Sequence, residues 1–208
     1  MKNILIHGLG QNENSWIEVQ KELRNYNIDV ETPNLYAMLK NSVIIDYNTL
    51  FKNFIDYCNS FDEQINLCGL SLGGLLALDY TKKFPDKVNS IIIIGVPYKI
   101  PKFIFKIQWL IFHIMPKSIF KDIGLTKADF ISLVNSINSL EINGMLDKIK
   151  CKTLIMCGDK DNQNMGSARL FNKDIKNSHL KIIKNSSHEV NIDNPKELSN
   201  AILNFWNK

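Results

Sequence analysis

Apolar positions along the chain change their period repeatedly. Short β-branched runs at 3–7, 27–31, 64–68, 90–95, 153–157 and 180–184 predict strands. Between them, Leu50, Phe51, Phe54, Ile55, Cys58 and Phe61 trace one face of a helix. Leu198, Ala201, Ile202, Phe205 and Trp206 trace another after the last strand. The run Ile91-Ile92-Ile93-Ile94 is apolar without alternation, as expected of a strand covered on both faces. Strands alternating with amphipathic helices predict an α/β chain: a parallel sheet with helices on both faces.

Two helix starts carry their own signals. Ser15-Trp16-Ile17-Glu18 reads as a capping box, in which hydroxyl and carboxylate satisfy orphan N–H groups. Asn194-Pro195-Lys196-Glu197 repeats the logic, with Pro195 at the first helical position, where no donor is lost. One region breaks the alternation. Residues 98–150 separate the fourth strand from the fifth, far more chain than a crossover needs. They predict a helical insertion dividing a core made of 1–97 and 151–208.

Composition narrows the class. The chain has 208 residues, of which 45% are hydrophobic and 22% charged, which excludes a disordered or fibrous protein and suits one domain with an insertion. The formal charge of +4 is too small to point to nucleic acid. Its placement says more: residues 98–121 hold five lysines (Lys99, Lys102, Lys106, Lys117, Lys121) and no acid. Cys58, Cys68, Cys151 and Cys157 match no zinc spacing and predict buried free thiols in a reducing, cytoplasmic setting. Only three apolar residues lie between Met1-Lys2-Asn3 and His7-Gly8, too few for a secretory signal. The nearest approach to a membrane span, 103–115, is interrupted by Lys106, Gln108 and His113.

The chemistry gathers at Gly69-Leu70-Ser71-Leu72-Gly73. This Gly-x-Ser-x-Gly lies directly after one predicted strand and before a helical run at 74–84. Such a strand-to-helix turn thrusts the serine out of the sheet, and small residues two before and two after avoid a clash. The helix start then offers backbone N–H groups to an oxyanion. A serine nucleophile needs a base, and the base an orienting acid. Of the four histidines, His188 follows the last strand on a loop, at the end of the sheet where open α/β folds place their chemistry. Asp159 and Asp161 follow the preceding strand, and either could serve as the acid; Asp159 also suits a turn or cap. No P-loop, His-Glu-x-x-His or dinucleotide fingerprint is present.

The order Ser71, Asp161, His188, together with His7-Gly8-Leu9-Gly10 after the first strand and Phe84-Pro85-Asp86-Lys87-Val88 after the elbow helix, resembles the α/β-hydrolase superfamily over nearly the whole chain. The resemblance implies Ser71 as nucleophile, Asp161 rather than Asp159 as acid, and His188 as base. It also implies an oxyanion hole from the backbone N–H groups of Leu9 and Leu72, and a supporting role for His7. The sheet should have about six strands, mostly parallel, in spatial order second, first, third, fourth, fifth, sixth, without the antiparallel pair with which relatives commonly open. The insertion at 98–150 falls where the superfamily carries a helical cap, here a short one.

The implied reaction is hydrolysis of a carboxylic ester through an acyl-enzyme, with no metal or organic cofactor. Phe103, Trp109 and Phe112, with their apolar neighbours, are candidates to line an acyl pocket, suggesting apolar or lipid-like esters. The basic, aromatic insertion is also a candidate for transient contact with a membrane surface or an acidic carrier protein. Acyl-carrier methyl esters or thioesters are the alternative substrates, and a non-catalytic ligand receptor on the same fold is the alternative role. Oligomeric state leaves no signal in the sequence.

Overall fold

The isoleucines at 91–94 divide between two cores. Ile91 and Ile93 face one layer of helices and Ile92 and Ile94 the other, all essentially inaccessible to water. The computed structural model describes residues 1–99, 124–138 and 140–207. Five strands, β1 (Lys2–Ile6), β2 (Ile65–Leu70), β3 (Val88–Ile94), β4 (Lys152–Gly158) and β5 (Ser178–Ile183), form a parallel sheet in the order β1-β2-β3-β4-β5.

The second expected strand, 27–31, is replaced by a single bridge, so the sheet has five strands and opens on β1. Of residues 27–31, only Glu31 pairs with β1: Leu5 N–H donates to its carbonyl and its own N–H donates to Asn3 O, each at 2.8 Å. Asn27, at φ +56°, belongs to the turn leaving the preceding helix. Polar Asn27, Asp29 and Glu31 alternate with Ile28 and Val30. That alternation suits a segment lying along the sheet's rim rather than a strand within it.

Helices cover both faces. On one side lie α1 (Ile17–Arg24) and α7 (Pro195–Trp206), which pack Val19, Leu23, Leu198 and Ile202 against Leu5, Cys68 and Ile92. On the other lie α2 (Tyr47–Asn59), α3 (Leu72–Lys83), α4 (Lys127–Ile137) and α5 (Met165–Asp174). Helix α4 lies within residues 98–150, and its Phe130, Leu133 and Val134 are buried in the same cluster as Ile4 and Ile93. Lys82 of α3, itself buried, ties the segment 142–144 to the core. Its ammonium meets Asp79 at 2.8 Å and donates to the carbonyls of Ile142 and Gly144.

The caps follow in part. Asn194 accepts from Glu197 N–H at 3.2 Å and Pro195 is the first helical residue, as its motif predicts. The first helix starts differently. Asn12 caps a 3-10 turn over Glu13–Trp16, Ser15 donates to Asn12 O, and Glu18 pairs with Lys21. Asn12 lies three residues earlier, and its side chain takes the Asn14 N–H, so the chain enters a 3-10 turn before the α-helix begins at Ile17.

Helix α3 approaches β1 so closely that Gly73 has no room for a side chain. A Cβ there would lie 2.3 Å from Ile6 O and 2.8 Å from His7 O, against immovable backbone. Gly73→Ala should therefore lower the unfolding free energy by about 3 kcal/mol or more. Urea denaturation checks this; a change below about 1 kcal/mol would show that the helix can retreat from β1.

Candidate active site

The approach of α3 to β1 fixes the turn on which Ser71 sits. Ser71 adopts φ +51° and ψ −110°, a conformation that costs a non-glycine residue free energy on the order of 1–3 kcal/mol. Its N–H donates to Ile94 O at 2.8 Å, locking the turn to the end of β3. Ser71 is partly exposed, between the buried Leu70 and Leu72. Leu72 is the first residue of α3, so its N–H lacks an intrahelical acceptor. Among the described residues, neither this N–H nor that of Leu9 takes a hydrogen-bond partner.

His188 reaches the same place from the other side of the sheet. A Cβ on Gly95, the residue after Ile94, would lie 2.9 Å from His188 Cε1 and 3.4 Å from Asp161 Oδ2. Ser71 is thus bonded to Ile94 while His188 and Asp161 pack on Gly95, so all three converge at the carboxyl end of β3. The approach of the His188 loop to β4 also demands a glycine, because a Cβ on Gly158 would lie 2.2 Å from Ser187 O.

Asp161 Oδ2 accepts a hydrogen bond from His188 Nδ1 at 2.9 Å. A carboxylate only accepts, so Nδ1 carries the proton, and in the neutral imidazole Nε2 is then the accepting nitrogen. The Asp161 side chain is 4% exposed and that of His188 41%, which shields the acid and leaves the imidazole accessible. Burial pushes the Asp161 carboxyl up. The bonds from His188 and from Asn164, whose Nδ2 lies 3.0 Å from each carboxylate oxygen, outweigh this and hold it below the ordinary carboxylate value. Asp159 points its carboxylate elsewhere. Its Oδ1 accepts from Ser186 N–H at 3.1 Å, a bond that holds its pKa down and pins the backbone of the His188 loop.

The loop carrying Leu9 is held by its neighbours. His7 is wholly buried; its Nδ1 donates to Gly8 O at 2.9 Å and its Nε2 accepts from Leu35 N–H at 3.0 Å. Gly10 N–H donates to the Tyr36 hydroxyl at 2.8 Å. The one accepting nitrogen of His7 is occupied, and burial pushes its pKa down, so it is a neutral strut.

A model of the alpha/beta hydrolase fold matches residues 4–115, more than half of the chain. The chain belongs to the alpha/beta-hydrolase family. Among curated proteins it is similar to monoacylglycerol lipase ABHD6 of Mus musculus, at 21% identity over 97% of this chain and 74% of the relative. Among solved structures, a bromoperoxidase from Bacillus anthracis superposes with TM-score 0.83 at 18% identity, over 100% of this chain and 92% of that one. An esterase from Exiguobacterium antarcticum gives 0.81 at 16% identity, with the same coverage. A membrane phospholipase A described as a bacterial virulence factor gives 0.77 at 17%, over 99% and 78%. At these identities the structures share the fold.

Phe103, Trp109 and Phe112 lie outside the described residues. Among the described residues, a cavity of about 370 Å³ opens between β4, β5 and α7, lined by Lys152, His179, Lys181 and Phe205, and includes none of the site residues. Sequence reasoning missed Asn164 and Gly95. Gly158 directly precedes Asp159, and a glycine closing a buried strand is a signal for close backbone approach.

His7 makes a pH-dependent contribution to stability. Its folded-state pKa lies below the unfolded value of about 6.5, so in that interval the unfolded chain binds more protons. This contribution is intact above about pH 6.5 and is lost as the pH falls through that interval. Denaturation midpoints measured from pH 7.5 to 5 should fall more steeply for the wild type than for His7→Gln, which has nothing to protonate. Parallel slopes would remove His7 from the account.

Proposed function

We propose that this protein is a serine hydrolase of carboxylic esters, with Ser71 as nucleophile, His188 as general base and Asp161 as its orienting acid. The observation that carries the reading is the 2.9 Å Asp161–His188 bond, formed where the strained Ser71 turn meets the end of β3.

The steps follow from proton positions. As Ser71 Oγ attacks the ester carbonyl carbon, its proton passes to His188 Nε2. Nδ1–H stays on the imidazole, and the Asp161 carboxylate stabilises the resulting imidazolium. The carbonyl oxygen becomes an oxyanion accepting from the N–H groups of Leu9 and Leu72. Collapse expels the alkoxide, which takes the proton from His188. Water, deprotonated by the same nitrogen, then attacks the acyl-enzyme and returns Ser71 to its starting state. Two backbone donors in a partly dry site supply several kcal/mol of this stabilisation, roughly 3–4 for each donor lost.

For substrate, we read apolar or lipid-like esters. The relative named a monoacylglycerol lipase and the phospholipase among the neighbours support this choice. So does the run of aromatic residues around Phe103, Trp109 and Phe112 in the insertion. The lysines of 98–121 suit an anionic interface, a membrane surface or an acidic carrier, at which such an ester would be presented. Cytoplasmic residence is supported by the free thiols of Cys58, Cys68 and Cys157, all buried. No helix among the described residues is long and apolar enough to cross a membrane.

Turnover of p-nitrophenyl acetate, butyrate and octanoate, alongside the matching thioesters, tests the reading. Ser71→Ala should lower kcat by about 10⁶-fold. Failure of any Ser71-dependent turnover in the folded protein would leave the receptor role standing. Octanoate should exceed acetate in kcat/KM, since each buried methylene contributes up to about 0.8 kcal/mol; preference for acetate, or for thioesters over oxygen esters, would overturn the lipid-like assignment. Asp161→Asn should cost on the order of 10³-fold or more in kcat/KM, and Asp159→Asn less than about tenfold. The reverse ranking would move the acid to Asp159.

A further inference from the structure

Two amide side chains, Gln11 and Asn191, face each other in the interior although 180 residues separate them in the chain. Gln11 follows the loop that carries Leu9, and Asn191 lies three residues after His188, in the short helix α6 (Val190–Asp193). Each donates to the other: Gln11 Nε2 to Asn191 Oδ1 at 3.3 Å, and Asn191 Nδ2 to Gln11 Oε1 at 3.2 Å. The remaining valences reach into both loops. Gln11 Oε1 also accepts from Gly8 N–H at 3.4 Å, and Gln11 Nε2 donates to Glu189 Oε1 at 2.9 Å. Asn191 Nδ2 donates to Ser15 O at 3.0 Å. Gln11 is 8% exposed and Asn191 1%, so neither amide has water as a ready alternative partner.

We propose that Gln11 and Asn191 form an amide clasp that couples the loop bearing Leu9 to the loop bearing His188. They are positioning residues for the reaction proposed above, and the inference rests on that reading. Both loops leave carboxyl ends of the sheet, Leu9 after β1 and His188 after β5, at opposite edges. Register between strands relates them only through three intervening strands. The clasp is a direct link. Gln11 holds Gly8 on one side and Glu189, adjacent to His188, on the other, so a shift of either loop strains the same four hydrogen bonds. An oxyanion hole and a general base act on one carbonyl group in one transition state, and misplacing either by about 1 Å can cost on the order of 10²-fold in rate.

The test uses the full chain with Gln11→Met and Asn191→Leu, which retain volume and remove the amides, their double variant, and Gln11→Glu, which keeps the length and sets a carboxylate against Glu189. Hydrogen–deuterium exchange supplies a readout independent of turnover. Asn191→Leu should accelerate exchange in residues 7–12, and Gln11→Met in residues 186–191, about tenfold or more, while strands β2 and β3 stay protected. On p-nitrophenyl butyrate each single variant should lose roughly 10- to 100-fold in kcat with KM within about twofold, and the double variant no more than the worse single. Loosening confined to the mutated loop, or kcat unchanged in a wild type with Ser71-dependent turnover, would overturn the clasp. Multiplied kcat losses in the double variant would show two independent defects and overturn it equally. Reciprocal loosening in a protein without Ser71-dependent turnover would uphold the coupling and instead defeat the esterase reading. If the apolar variants do not fold, Gln11→Glu carries the same exchange comparison.

Discussion

Ser71 occupies a backbone conformation that works against folding, and the centre of the molecule is arranged to hold it there. The turn is bounded by backbone rather than side chains: Gly73 lies against the Ile6 carbonyl, Gly69 against Gly73, and Ser71 N–H is bonded to Ile94 O. Such contacts cannot relax by changing rotamer. A strained residue persists only where its surroundings over-determine it, and here three adjacent parallel strands do so. The position of the first strand, the start of α3 and the end of β3 are consequences of the same fit.

Around this turn, polar groups are assigned by burial. The acid Asp161 is enclosed and fully engaged by His188 and Asn164, whereas the imidazole it holds is nearly half exposed. The second carboxylate of the pair, Asp159, is half-buried and serves the backbone of the loop. Sequence spacing leaves these two acids equivalent; their partners separate them. His7 shows the same economy. Its two ring nitrogens are used to join Gly8 to Leu35, which places it in the scaffold of the loop that carries Leu9.

What could be read from the sequence is what local sterics dictate. The Gly-x-Ser-x-Gly turn is legible because its constraints act within five residues, and the strand Val88–Ile94 because the continuous apolar run at 91–94 marks burial on both faces. The candidate strand at 27–31 failed because alternation alone does not distinguish a paired strand from a rim segment held by one bridge to Ile4. The cap at Ser15 failed because a competing residue, Asn12, stood nearby. Gln11 and Asn191 could not be paired from the sequence at all. Each is an ordinary polar residue in a loop or short helix, and its partner lies 180 positions away. Contacts of that kind depend on where the whole fold brings two distant loops, and no local pattern records this.

In the proposed reaction one serine among many is nucleophilic because of its place in the fold. The most direct test is covalent: reaction with a fluorophosphonate, followed by mass spectrometry of the intact chain and its peptides. A single adduct is expected on Ser71, lost in Ser71→Ala and strongly slowed in His188→Ala, with the protein folded throughout. An unlabelled wild-type chain, or an adduct carried by another residue, would contradict it.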